Sequence, residues 1–101
     1  MSNFSEEIIE QVWQKATIDP ENNPSIWRKD YWGAWIGRQY YGNRDSQYGW
    51  EIDHITAVTN DGSDILSNLR PLQWMNNASK QDGRLIKSVI ANGINNIKVN
   101  N

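Results

Sequence analysis

Ile8, Ile9, Val12, Trp13 and Ala16 recur at i, i+1, i+4, i+5 and i+8, with charged and amide residues between them. This is one stripe of a 3.6-residue period, and it predicts an amphipathic helix over 4–16. Asn3 or Ser5 is placed to cap it, and Glu6 and Glu7 fall in its first turn, where the helix dipole favours anions. The pattern breaks at D-P-E-N-N-P, 19–24, whose prolines and asparagines read as a loop. Next comes W-R-K-D-Y-W-G-A-W-I-G-R-Q-Y-Y-G, 27–42, aromatic and β-branched between glycines, which predicts a strand near 34–41. The turn-forming N-R-D-S-Q, 43–47, then sends a second strand, near 49–55, back onto the first as a hairpin.

Beyond that strand, T-N-D-G-S-D, 59–64, is a loop with a turn signal at Asp61-Gly62. N-L-R-P-L-Q, 68–73, predicts a short strand, which Pro71 confines to a sheet edge or ends early. W-M-N-N-A-S-K-Q-D, 74–82, suits a short helix. A further helix is predicted from 84 to 92, with Leu85, Ile86, Val89 and Ile90 on one face and Gly93 just past its end. The tail I-N-N-I-K-V-N-N adds no readable pattern. No repeat or linker divides the chain, so 1–101 reads as one small α+β domain.

Composition narrows the chemistry. There is no cysteine, which removes disulfides, thiolate zinc sites and cysteine nucleophiles together, and there is one histidine. Any bound metal must be held mainly by oxygen, which suits Mg²⁺ or Mn²⁺ better than Zn²⁺. Six Trp and four Tyr provide area for a core. Interleaved with Arg28, Lys29, Arg38 and Arg44, some of those rings also fit a nucleic-acid surface, although buried strand residues are the first expectation. The net charge of −2 argues mildly against nucleic acid, but residues 1–21 carry a local −4 and residues 65–101 a local +4. Such asymmetry points to an anionic partner. No apolar run reaches the ~20 residues that span a bilayer. The acidic opening M-S-N-F-S-E-E is unlike a secretory signal, so a cytoplasmic location is expected.

The lone His54 lies in W-E-I-D-H-I-T-A-V, 50–58, beside Asp53. Neighbours on a strand leave on opposite faces, so the two serve one site only if the strand ends or twists there. Phosphodiester hydrolysis needs an activated water, a neutralised phosphate and help for the leaving oxygen. A neutral imidazole takes a proton near pH 7, and a divalent ion on a carboxylate and an amide oxygen neutralises the phosphate. Asp53 and Asn77 offer those ligands, and Lys80, one helical turn beyond Asn77, is placed to meet a phosphate.

W-E-I-D-H-I, then G-S-D-I-L-S-N-L-R-P-L, then N-N-A-S-K-Q-D, together resemble the HNH endonuclease motif in the version where Asn replaces the last His, as in its small stand-alone bacterial and phage types. The resemblance covers about residues 49–82. It implies a ββα-metal finger, here with an N-terminal helix, an aromatic-rich hairpin and a C-terminal helix around it. It implies catalytic roles for His54 as general base and Asn68 as the residue that ties the loop and holds the base. It implies Asp53 and Asn77 as metal ligands, with Asn76 the register rival of Asn77. Lys80, Arg70 and Arg84 become nucleic-acid contacts. The cofactor implied is Mg²⁺, with Mn²⁺ the alternative, and DNA is preferred over RNA as partner. Many relatives carry Cys-x-x-Cys zinc pairs; this chain has none, so no structural zinc is expected. Two other readings stand beside the nuclease: an inactive nucleic-acid-binding module that retains the finger, and a subunit working with a partner protein or as a homodimer.

Overall fold

The computed structural model describes residues 4–57, 63–80 and 86–99. The stripe forms helix α1, Glu6–Trp13, with Ser5 as its cap: the Ser5 hydroxyl accepts from the Ile8 N–H at 3.2 Å. Asn3 lies outside the described residues. Ile9, Val12 and Trp13 are buried against Ile36, Trp50 and Leu69, and this cluster is the core. Fully burying each such side chain stabilises by about 1.5–3 kcal/mol.

Strand β1, Trp27–Lys29, pairs antiparallel with β2, Trp35–Gly37. The predicted strand near 34–41 is thus shorter. It stops at Gly37, where a Cβ would lie 2.5 Å from the Tyr40 ring, and Arg38–Tyr40 coil into a 3₁₀ turn that folds the ring onto the backbone. The predicted hairpin between this strand and the next does not form. Strand β3, Trp50–His54, pairs instead with β4, Leu69–Gln73, and only a single parallel bridge joins Tyr41 to Trp50. Pro71 lies in a two-stranded sheet, where both strands are edges.

Helix α2, Trp74–Ala78, follows β4 without a break, with the Gln73 side chain accepting from the Met75 and Asn76 N–H groups at its start. The predicted C-terminal helix is overturned: Val89–Asn92 form β5, paired with β6, Asn95–Lys98. Gly93-Ile94 makes the hairpin turn, with Gly93 at φ +62°, and the β-branched Val89 and Ile90 fit a strand. The tail that showed no pattern is stitched to β2. Asn96 Nδ2 donates to the Trp35 and Gln47 carbonyls, and its Oδ1 accepts from the Trp35 N–H. The fold is therefore α+β, with two helices and three two-stranded antiparallel sheets among the described residues. The Asp61-Gly62 turn, the last two residues of the predicted 74–82 helix, Arg84 and Leu85 lie outside those residues. Among them, no helix is long and apolar enough to cross a membrane.

Candidate functional site

The β3–β4 ladder sorts its side chains into two faces. Trp50, Ile52 and His54 stand opposite Gln73, Pro71 and Leu69, while Glu51 and Asp53 stand opposite Leu72 and Arg70. Directly opposed residues share a face: Trp50, Ile52 and Leu69 join the core under α1, while Glu51 and Asp53 meet Asn77 of α2 and Lys80 just beyond it. β3 runs through His54, so Asp53, opposite Arg70, and His54, opposite Leu69, leave on opposite faces, and the expected end or twist of the strand does not fall before them.

On the α2 face, Asp53 is 5% exposed and doubly compensated. Arg70 Nε donates to Oδ2 at 2.8 Å across the ladder, and Lys80 Nζ donates to Oδ1 at 2.5 Å from just beyond α2. Lys80 also donates to the His54 carbonyl at 3.2 Å. Both cations expected to meet nucleic acid are thus held on the carboxylate, and the third, Arg84, is outside the described residues. Asn77 Nδ2 donates to Glu51 Oε1 at 2.8 Å, which brings the helix amide over the same strand face as Asp53.

Burial separates Asn76 from Asn77. Asn76 is fully buried, donating to Asp30 and the Val89 carbonyl and accepting from the Ser88 and Val89 N–H groups. Its hydrogen-bonding capacity is spent on structure, whereas Asn77 is half-buried and no hydrogen bond reaches its Oδ1 among the described residues.

Around the end of β3, Asn68 bridges Thr56 and Ser63. Its Nδ2 donates to the Thr56 carbonyl at 3.0 Å and the Ser63 carbonyl at 2.7 Å, and its Oδ1 accepts from the Thr56 N–H at 2.8 Å. Closing the loop at Ser63 sets the next residue, Asp64, against His54, with Oδ1 2.5 Å from Nε2. A carboxylate there accepts, so it selects the Nε2–H tautomer and leaves the lone pair on Nδ1. The His54 ring also packs at 6.1 Å from Phe4. No hydrogen bond joins the ring to Asp53 or Asn77 among the described residues.

Sequence reasoning missed two residues here. Asp64 sits ten residues beyond His54, and only the Asn68 tie reveals the pairing. Glu51 was legible, since it lies two residues before Asp53 and so on the same strand face. Its carboxylate accepts from Arg44 Nε at 2.6 Å and a second guanidinium nitrogen at 2.8 Å. The Arg44 guanidinium, with the Asn77 amide, holds Glu51 below the ordinary carboxylate value of 4.5. A depressed carboxylate stabilises the fold above its unfolded value, and that contribution is lost as pH falls through the folded one. Arg44→Met is therefore expected to destabilise the protein at neutral pH, with the gap to wild type closing below pH 4.5; urea unfolding across that range checks it.

The other cations of the aromatic segment are also engaged. Arg28 is buried and donates to the Pro24, Gln14 and Ala16 carbonyls, Lys29 pairs with Asp19, and Arg38 pairs with Glu10. Trp13 and Trp50 are core, while Trp27, Trp35, Tyr40 and Tyr48 line an open cleft of about 390 Å³ with Asn22 and Ile94.

Asp53 and Asn77 fit a metal by donor type, both offering oxygen to a hard ion. Among the described residues no group of three or more His, Cys, Asp or Glu could hold an ion, so these two fit only an ion that keeps water and phosphate ligands. Comparison with family models, curated proteins and solved structures returns no match.

Proposed function

We propose that this chain is a metal-dependent endonuclease of the HNH type, hydrolysing DNA phosphodiester bonds with β3, β4 and α2 as its ββα-metal finger. One observation carries the reading most: Asn68 closes the loop between the strands and thereby seats Asp64 on His54. The loop-tying residue of the motif and its single imidazole thus meet through one contact, where a scattered likeness would leave them unrelated.

In this reading His54 removes the proton from the attacking water through Nδ1, while Asp64 fixes the tautomer and the ring plane. Asn68 positions both. Asp53 and Asn77 would hold a Mg²⁺ or Mn²⁺ ion, which would supply neutralisation of the scissile phosphate and the departing 3′ oxygen. Lys80, Arg70 and Arg84 contribute positive charge toward the phosphates. The products are 5′-phosphate and 3′-hydroxyl ends.

A second reading, a nucleic-acid-binding module without catalysis, is favoured by a different observation: both Asp53 oxygens carry cations, and the His54 ring touches neither Asp53 nor Asn77. In that case the cleft between Trp27, Trp35, Tyr40 and Tyr48 offers ring faces to unstacked bases. Incubation of the purified protein with supercoiled plasmid, with Mg²⁺ or Mn²⁺ and with chelator, separates the two. Nicking that needs the ion is the expected result. Salt-dependent binding with no nicking under any ion transfers the function to the module. Cleavage that appears only when a partner chain is added assigns this chain to a larger enzyme.

A further inference from the structure

We infer that Lys80 is the resident counter-ion of Asp53, and that a divalent ion reaches this carboxylate only by exchange with the Lys80 ammonium. The inference rests on the reading of Asp53 as the ion-holding carboxylate. It adds a rule for loading that site: the free protein resists the ion, and substrate phosphate promotes its entry by drawing the ammonium away.

The geometry distinguishes the two cations on Asp53. Arg70 is its ladder partner, fixed opposite it by the register, and its guanidinium carbon lies 5.8 Å from the centre of the Tyr31 ring. Lys80 comes from the turn after α2, and among the described residues its ammonium meets Asp53 Oδ1 and the His54 carbonyl. It is a compact charge on a flexible four-carbon stem, a form suited to moving between a carboxylate and a phosphate. The charge balance points the same way. One carboxylate facing two cations leaves a local +1, which repels an incoming doubly charged ion. Removal of the ammonium returns the pair Asp53–Arg70 to neutrality and frees Oδ1. Without an ion the ammonium also has a structural use, since a carboxylate this buried must be compensated.

Both partners of the exchange lie on one face. Asn77, the second ligand of the proposed site, is one helical turn before Lys80 and already leans over Glu51 on that face. The chain therefore holds the ligand and the competitor on the same short segment. A phosphate that takes up Lys80 leaves Asp53 Oδ1 without the ammonium, on the strand face that Asn77 meets through Glu51.

The test is Mn²⁺ binding, read by electron paramagnetic resonance of free Mn²⁺ and by calorimetry. The proteins compared are wild type, Asp53→Asn, Lys80→Met, Lys80→Gln and the Asp53→Asn/Lys80→Met double variant, each first checked for folding by circular dichroism. The single Lys80 variants are expected to bind Mn²⁺ about tenfold or more tightly than wild type, the low end of what one adjacent charge does to proton binding by a carboxylate. The double variant should lose that gain. A short DNA duplex should strengthen Mn²⁺ binding in each protein that keeps Asp53, since phosphate adds ligands, and should do so more for wild type than for the Lys80 variants. Equal affinity in wild type and both Lys80 variants overturns the exchange, as does tight wild-type binding that Asp53→Asn abolishes. Plasmid nicking is scored separately: nicking with equal affinities removes the exchange and keeps the nuclease, while tighter binding without nicking does the reverse.

Discussion

Asp30→Asn is expected to cost about 3 kcal/mol of stability, and Asp30→Ala more, through buried N–H groups left without acceptors. Asp30 is 2% exposed and lies in the turn between β1 and β2. Its Oδ1 accepts from the Trp32 and Ala34 N–H groups, each at 2.9 Å. Its Oδ2 accepts from the Gln73 N–H at 2.9 Å and from Asn76 Nδ2 at 3.0 Å. One side chain thus closes the first hairpin and fastens it to the junction of β4 and α2, the junction that presents the candidate site. An amide at position 30 keeps one acceptor oxygen and turns an NH₂ group toward two of these donors. A loss of this size is a large share of the ~5–15 kcal/mol typical of a domain. The pH dependence separates this account from simple packing. Burial raises the Asp30 pKa above its ordinary 3.8, although the four donors pull the other way. A carboxyl raised on folding favours the folded state when protonated, so its contribution grows as pH falls from the raised value toward 3.8. Urea midpoints of wild type and Asp30→Asn should therefore diverge on acidification. A constant or narrowing gap would remove the desolvated carboxylate from the explanation.

The same residue shows where sequence reading stopped. Asp30 in D-Y-W-G-A reads locally as a turn former, and so it is, since Gly33 follows with φ +86°. Its larger role depends on Gln73 and Asn76, more than forty residues away, which no local pattern reveals. The strand-to-helix path from β3 through β4 into α2 was legible, because period, Pro71 and the motif all fall within one short stretch. The partner of β3 was not. Aromatic residues and the 43–47 turn signals suggested a hairpin with 34–41, but Tyr40 folds over Gly37 and ends that strand after three residues. At the C-terminus, Gly93 suits either a helix end or a hairpin turn. The β-branched residues on both sides favoured the hairpin, whose two turn residues are Gly93 and Ile94. Within the candidate site, the motif singled out Asn68, whose bonds to Thr56 and Ser63 span only a short stretch of chain. The service of Lys80 and Arg70 to Asp53 was not, since charge in a sequence does not say which partner it meets.

His54→Ala is expected to lower metal-dependent nicking by about 10²–10⁴-fold, the usual contribution of a positioned general base. The fold should survive, because His54 ends its strand and lies outside the buried core. A urea midpoint within about 1 kcal/mol of wild type checks this. Asp64 does not touch the water in this reading; it positions the imidazole through Nε2. Asp64→Asn should then reduce kcat by roughly 10- to 100-fold, as loss of an outer partner of a functional histidine does, and leave KM little changed. Asn68→Ala acts one step further out, by releasing the ties to Thr56 and Ser63 that bring Asp64 to the ring. Because both substitutions break the same contact, the Asp64→Asn/Asn68→Ala double variant should lose little more than the worse single one. Multiplicative losses would mean that Asn68 serves the site by a separate route. Nicking by His54→Ala at the wild-type rate would remove the imidazole from the chemistry, and with it the reason for Asp64 to face it.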